Sequence, residues 1–313
     1  MNSALFFTTT LSCVAIMLLY SVPGFAVVKG KLVKPEAIAA FATVLMYVCQ
    51  PALTIYTFTR TDFDKTTAIR CLIFIGIVFV VLSLFLGIFY FAFRKKFEDE
   101  KYRIYTIATT FSNCTFMGVP LLEKLFPNNP EAVMYSISFF IAMTVLVWSV
   151  GSYIISGDKK YVSPKRIFLN PCMISVYVAV PIWISGFRFP EMLDGFFTIL
   201  GRMTTPMCML VLGMRLATVS FKDVFANAKQ YVIIAINQLL LPLFAFVLVF
   251  FLPVDSLVKQ SLVILMATPV ASVVLNFAEM IGKGQKTAAN CVLLGTMLSL
   301  LSLPLVSLLL NCL

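Results

Sequence analysis

Ser112-Asn113-Cys114-Thr115-Phe116-Met117-Gly118-Val119-Pro120 lies at the centre of an apolar run, residues 104–122, that contains no Asp, Glu, Lys or Arg. The run is long enough to cross a bilayer as one helix, yet its middle holds small polar residues, a glycine and a proline. Proline removes a backbone donor and its ring clashes with the carbonyl one turn back. The stretch therefore reads as a helix broken at membrane depth. Ala267-Thr268-Pro269-Val270-Ala271-Ser272 stands at the corresponding depth of the uncharged run 260–278, so a second helix is broken in the same way. Paired interruptions of this kind are the best sequence pointer to a binding site between two internal repeats.

The rest of the chain supplies the membrane. Of its 313 residues 60% are hydrophobic and 12% charged, and the mean hydropathy is +0.97, against about half and a quarter for an ordinary soluble domain. A soluble fold is excluded. A span needs about 20 uncharged residues. Runs 1–28, 37–59, 71–93, 104–122 and 132–157 qualify, as do 167–187, 231–251, 260–278 and 287–313, and 195–214 is interrupted only by Arg202. The expectation is an all-α membrane protein of ten transmembrane helices, numbered 1 to 10 in that chain order. The first run has no basic residue before it and is too long for a signal peptide. Strand-period alternation is absent, which argues against a membrane barrel.

Charge sets the expected orientation. Seventeen of the 24 Lys and Arg fall in the loops after helices 1, 3, 5, 7 and 9, and six on the other side. Odd-numbered loops are thus expected in the cytoplasm, with both termini outside a cell membrane. The net charge of +10 is accounted for by these loops and implies no nucleic acid. With no histidine, imidazole bases, His-ligated metals and proton relays through His are removed, and the eight cysteines form no C-x-x-C pair. Neither an enzyme nor a cofactor is expected.

Prolines recur in order in the two halves: Pro23 with Pro181, Pro51 with Pro206, Pro120 with Pro269. Residues 1–156 and 170–313 read as two five-helix repeats joined by a short cytoplasmic linker, 157–169. An odd-numbered unit enters the membrane from opposite sides in its two copies, so the repeats are inverted.

At Gln50-Pro51-Ala52-Leu53, Asn113 through Pro120-Leu121-Leu122, Asn170-Pro171, Pro206 with Leu212-Gly213-Met214, and Pro269 with Phe277-Ala278-Glu279, the chain resembles the auxin efflux carrier family, which holds plant auxin exporters and bacterial malate or malonate carriers. The resemblance implies a fold similar to the sodium/bile acid symporters. Helices 4 and 9 would cross inside a mobile domain of helices 3–5 and 8–10, with helices 1, 2, 6 and 7 as scaffold. It also implies elevator-type alternating access and a homodimer through helices 2 and 7. Two departures stand out. Val273 and Val274 occupy the place of an asparagine that the family often carries after the helix 9 proline, with Asn276 next, and helix 3 lacks the acidic residue of some plant members.

If the second halves of helices 4 and 9 begin near Gly118 and Ser272, their free N–H groups and positive dipole ends make an anion site without a basic side chain. Asn113, Cys114, Thr115, Gly118, Pro120, Thr268, Pro269, Ser272 and Asn276 are the expected substrate contacts, for a small organic anion. The bland alternative is that these residues only satisfy backbone groups freed by the prolines. Arg202 either attracts the anion or snorkels to the surface. Glu123 and Glu279 close helices 4 and 9, as coupling carboxylates or as caps and ion-pair partners. Secondary transport, alone or coupled to H+ or Na+ as in the bile acid symporters, is the leading reading. A channel and an anion-binding membrane sensor are the others.

Overall fold

The computed structural model describes residues 3–162 and 164–313. Met1 and Asn2 of the first apolar run and Ser163 of the linker lie outside the described residues. Among the described residues seven helices are long and apolar enough to cross a membrane: Ser3–Lys29, Pro35–Thr59, Lys65–Lys96, Glu131–Ser156, Glu191–Thr218, Ala228–Phe250 and Gln285–Cys312. These are helices 1, 2, 3, 5, 7, 8 and 10 of the sequence numbering. The other three apolar segments form shorter pieces. Helix 6 is Pro171–Ser185. Helix 4 is split into 4a, Glu100–Ala108, and 4b, Gly118–Leu125, and helix 9 into 9a, Ser256–Met266, and 9b, Ser272–Ile281. Length and composition therefore single out seven spans where the uncharged runs suggest ten, because helices 4 and 9 are interrupted and helix 6 is only 15 residues long.

Local chemistry explains the ends. Asn170 caps helix 6 by accepting from the Met173 N–H, Pro171 opens its first turn, and Gly186, at φ 68°, stops it. Asp64 and Asp255 cap helices 3 and 9a in the same manner. In helices 2 and 8 a widened π turn, Leu45–Cys49 and Ile236–Leu240, immediately precedes or adjoins Pro51 and Pro242. The extra residue per turn makes room for a ring that would otherwise strike the carbonyl four residues back.

Packing sorts the helices into two groups. Helix 1 lies along the second half of helix 7, and helix 2 packs against helix 6 and the first half of helix 7. Helix 3 packs on helix 5, helix 8 on 9a, helix 10 on 9b, and 4a touches helices 3, 5, 8, 9b and 10. Helix 1 joins the groups by resting on 4b and helix 10. Burial follows this division: the most apolar windows of helices 5 and 10 are 67% and 61% buried, against 28% and 33% for helices 1 and 7. The core thus sits around the broken helices, while large apolar side chains such as Leu19, Leu72, Ile199 and Leu301 face outward, as a lipid-facing surface requires.

Two glycines fix how closely helices 1 and 7 approach. A Cβ on Gly213 would lie 1.8 Å from the Ser21 carbonyl oxygen, and one on Gly24 2.0 Å from that of Leu210. Small residues at a crossing let two backbones meet where lipid supplies no hydrophobic drive.

Candidate functional site

The chain between 4a and 4b and the chain between 9a and 9b have left the helical hydrogen-bond pattern, so their backbone groups need other partners. They find them in each other. The Asn113 N–H donates to the Pro269 carbonyl at 2.7 Å and the Ala271 N–H to that of Phe111 at 2.9 Å, an antiparallel pairing centred on Ser112 and Val270.

Side chains of the crossing and of the surrounding helices satisfy further groups. The Ser112 hydroxyl donates to the Met266 carbonyl at 3.0 Å, and Ser136 of helix 5 donates to that of Cys114 at 2.6 Å. Thr205 of helix 7 reaches the Phe116 carbonyl at 2.7 Å. Helix 8 supplies two fully buried amides: Asn237 donates to the Ser112 hydroxyl at 3.4 Å and Gln238 to the Gly295 carbonyl at 2.6 Å, while Ser302 donates to Gln238 Oε1. Ser112 belongs to the stretch read as the break of helix 4, but Ser136, Thr205, Asn237 and Gln238 were not singled out from the sequence. The adjacent amides inside the apolar run 231–251 were the one available signal.

The expected contacts divide accordingly. Asn113 and Pro269 meet, and the Asn113 side chain, 6% exposed, makes no hydrogen bond among the described residues. Cys114 is fully buried, with its thiol 3.7 Å from the Thr115 hydroxyl. Thr268 turns its hydroxyl back onto the Leu265 carbonyl at 2.7 Å. Gly118 opens 4b in a space where a Cβ would stand 2.5 Å from a Leu265 methyl. The Pro120 carbonyl accepts the Cys13 thiol of helix 1 at 3.7 Å. Ser272 opens 9b facing the Cys208 thiol. Asn276 lies a turn further on, with its amide 3.7 Å from the Met46 sulfur of helix 2, and is not part of the crossing.

The three charged candidates lie away from the crossing. Arg202 Nε donates to the Tyr56 hydroxyl at 3.1 Å, which in turn donates to Glu123 at 3.3 Å. All three line a cavity of about 720 Å³ between helices 1, 2, 4b and 7 that also reaches Pro120 and Thr205. Lys124 also lines it, and an adjoining cavity of about 310 Å³ shares these residues and adds Arg60. Glu279, at the end of 9b, is in an ion pair with Arg215 of helix 7. The geometry thus offers a buried crossing of two chain breaks beside a cavity lined by Arg202, Lys124 and Glu123, with Arg60 in the adjoining one.

No curated protein matches the chain significantly. A family model described as membrane transport protein matches residues 8–307, from helix 1 into the last helix. Spanning nearly the whole chain, together with several apolar helices, that match makes this a multi-pass membrane protein of the membrane transport protein family, the family of the auxin efflux carriers.

Proposed function

We propose that this chain is a secondary transporter that carries a small organic anion across the cell membrane by elevator-type alternating access, holding a carboxylate at the crossing of helices 4 and 9. The observation that carries this reading is the Asn113 carboxamide. It is the one amide side chain at the crossing left without a hydrogen bond among the described residues, beside the first turns of 4b and 9b. Helix N-termini present free N–H groups and a positive dipole end, which favour an anion where water is scarce. In 4b the Val119 N–H is bonded to the Thr115 carbonyl and Pro120 has none, so Gly118 is the first-turn donor there. Cys114, Thr115, Gly118, Pro120, Thr268, Pro269 and Ser272 shape the pocket, and Asn276 borders it from 9b.

The same reading takes all ten segments as spans and residues 1–156 and 170–313 as inverted repeats. The group of helices 1, 2, 6 and 7 is the scaffold, paired with a second copy through helices 2 and 7, and the group of helices 3–5 and 8–10 moves. With odd-numbered loops in the cytoplasm, the cavity of about 720 Å³ opens outward. Coupling to H+ or Na+ is compatible with this site.

The test is equilibrium binding of a panel of labelled mono- and dicarboxylates to the purified protein. Asn113→Ala removes a donor that water cannot fully replace, which costs about 1–3 kcal/mol, so affinity falls roughly 5- to 150-fold. Ser272→Ala falls less, because backbone N–H groups remain. Arg202→Ala, whose side chain is turned to Tyr56, leaves affinity within about threefold. Normal binding by folded Asn113→Ala and Ser272→Ala proteins would remove the crossing as the site.

A further inference from the structure

The ion pair between helix 7 and 9b has a fork-to-fork geometry. Arg215 Nη1 lies 2.8 Å from Glu279 Oε1 and Nη2 donates to Oε2 at 3.0 Å, an arrangement in which both hydrogen bonds are charge-assisted. It joins the two packing groups. The other ion pairs among the described residues do not join a scaffold helix to a broken helix: Arg70–Asp255 ties helix 3 to the start of 9a, Arg188–Asp62 ties together the loops after helices 6 and 2, and Lys286–Asp223 ties helix 10 to the segment before helix 8.

The opposite end of the bundle carries the same two residue types near the ends of the corresponding helices. Arg215 follows Arg60 by 155 residues (215 − 60), the same spacing as Pro51 to Pro206 (206 − 51). Glu279 follows Glu123 by 156 (279 − 123), against 149 from Pro120 to Pro269 (269 − 120), so the two carboxylates correspond by their place in the last turn of 4b and 9b rather than by strict register. Arg60 follows the end of helix 2 as Arg215 stands near the end of helix 7, and Glu123 stands near the end of 4b as Glu279 does in 9b. Here the pair is parted. Arg60 and Glu123 both line the cavity of about 310 Å³ and form no ion pair with each other. The Arg60 guanidinium lies over the Tyr56 ring, 4.7 Å from its centre, and Glu123 takes the Tyr56 hydroxyl. One end is latched and the other is open.

We propose that Arg215–Glu279 and Arg60–Glu123 are two reciprocal latches between scaffold and moving group, closing in alternation as the cavity opens at one end or the other. This inference rests on the division into scaffold and moving group proposed above and on no property of the substrate. Breaking Arg215–Glu279 removes the one ion pair between the two groups among the described residues, and with it a contact that favours the present arrangement. The population then shifts toward the state in which Arg60 meets Glu123 and the larger cavity is shut.

The shift is read without a substrate, so failure here leaves the carboxylate site at the crossing untouched. Ser12 lines the larger cavity. In a Cys312→Ser background, Ser12→Cys is labelled with a polar maleimide in lipid discs, where both faces are accessible. Adding Glu279→Gln, or Arg215→Gln should that variant fold poorly, slows labelling roughly two- to fivefold, the shift expected for a partly exposed ion pair. Glu123→Gln leaves the rate unchanged or raises it, and the exchanged pair Arg215→Glu with Glu279→Arg returns it toward the starting value. Labelling unchanged in Glu279→Gln and Arg215→Gln, equal slowing by Glu123→Gln, or no recovery in the exchanged pair while the protein elutes as folded would overturn the latches.

Discussion

Tyr56 organises the charged lining shared by the two cavities from a position 2% exposed. Its hydroxyl spans Arg202 and Glu123, and Arg60 and Arg202 stand 4.7 and 5.8 Å from its ring centre. Nothing in the sequence links a tyrosine in helix 2 to an arginine 146 residues later, so Arg202 was readable as costly at its depth but not as partnered. Asn113 is the converse case, since an asparagine beside a glycine and a proline within an uncharged run is conspicuous in one dimension. A simpler residue-scale effect lies at Asp64, where the Thr67 N–H at 2.9 Å holds the carboxyl below its ordinary value. Because the folded chain favours the carboxylate more than the unfolded chain does, this cap is in full force above the unfolded pKa. Its contribution is lost as pH falls through the lower, folded value. Asp64→Ala therefore melts earlier than the parent at neutral pH, and the gap narrows in strong acid. A gap independent of pH, measured by thermal unfolding in detergent, would argue against the cap.

At the scale of elements, sequence reveals breaks better than it reveals contacts. The interruptions near Pro120 and Pro269 are local, since a missing N–H and a ring clash act within one turn, and 4b and 9b begin at Gly118 and Ser272. That Gly24 and Gly213 bring helices 1 and 7 together could not be read in that way, because a glycine in an apolar run marks a close approach without naming the partner. The contact makes a sharp prediction. A Cβ at Gly213 meets a carbonyl oxygen 1.8 Å away, which cannot rotate aside, whereas one at Gly76 of helix 3 meets nothing within 4 Å. Gly213→Ala destabilises by about 1–3 kcal/mol as the helices are forced apart, and Gly76→Ala is neutral or stabilises by up to about 1 kcal/mol. Thermal unfolding followed by size exclusion compares them, and equal stability of the two variants contradicts the close crossing.

For the molecule as a whole, the distribution of basic residues leads to an orientation that can be checked directly. Gly157 has φ 72° and its Cβ would press on Arg103 at 2.9 Å, so a reporter belongs on the neighbouring exposed Lys160. Lys160→Cys is expected to react with an impermeant reagent only in inverted vesicles or opened cells, and labelling of intact cells would reverse the topology. The sequence by itself determined that this is an all-helical membrane protein of the transport family, and where two of its helices stop being helices. Those properties depend on runs of about 20 uncharged residues and on backbone chemistry confined to a single turn. Only the tertiary structure decided that the two broken segments pair with each other, that Ser136, Thr205 and Asn237 support them, and that Glu279 is ion-paired while Glu123 is not. Each of these joins residues far apart in the chain, where the choice of partner is made by packing rather than by any local preference.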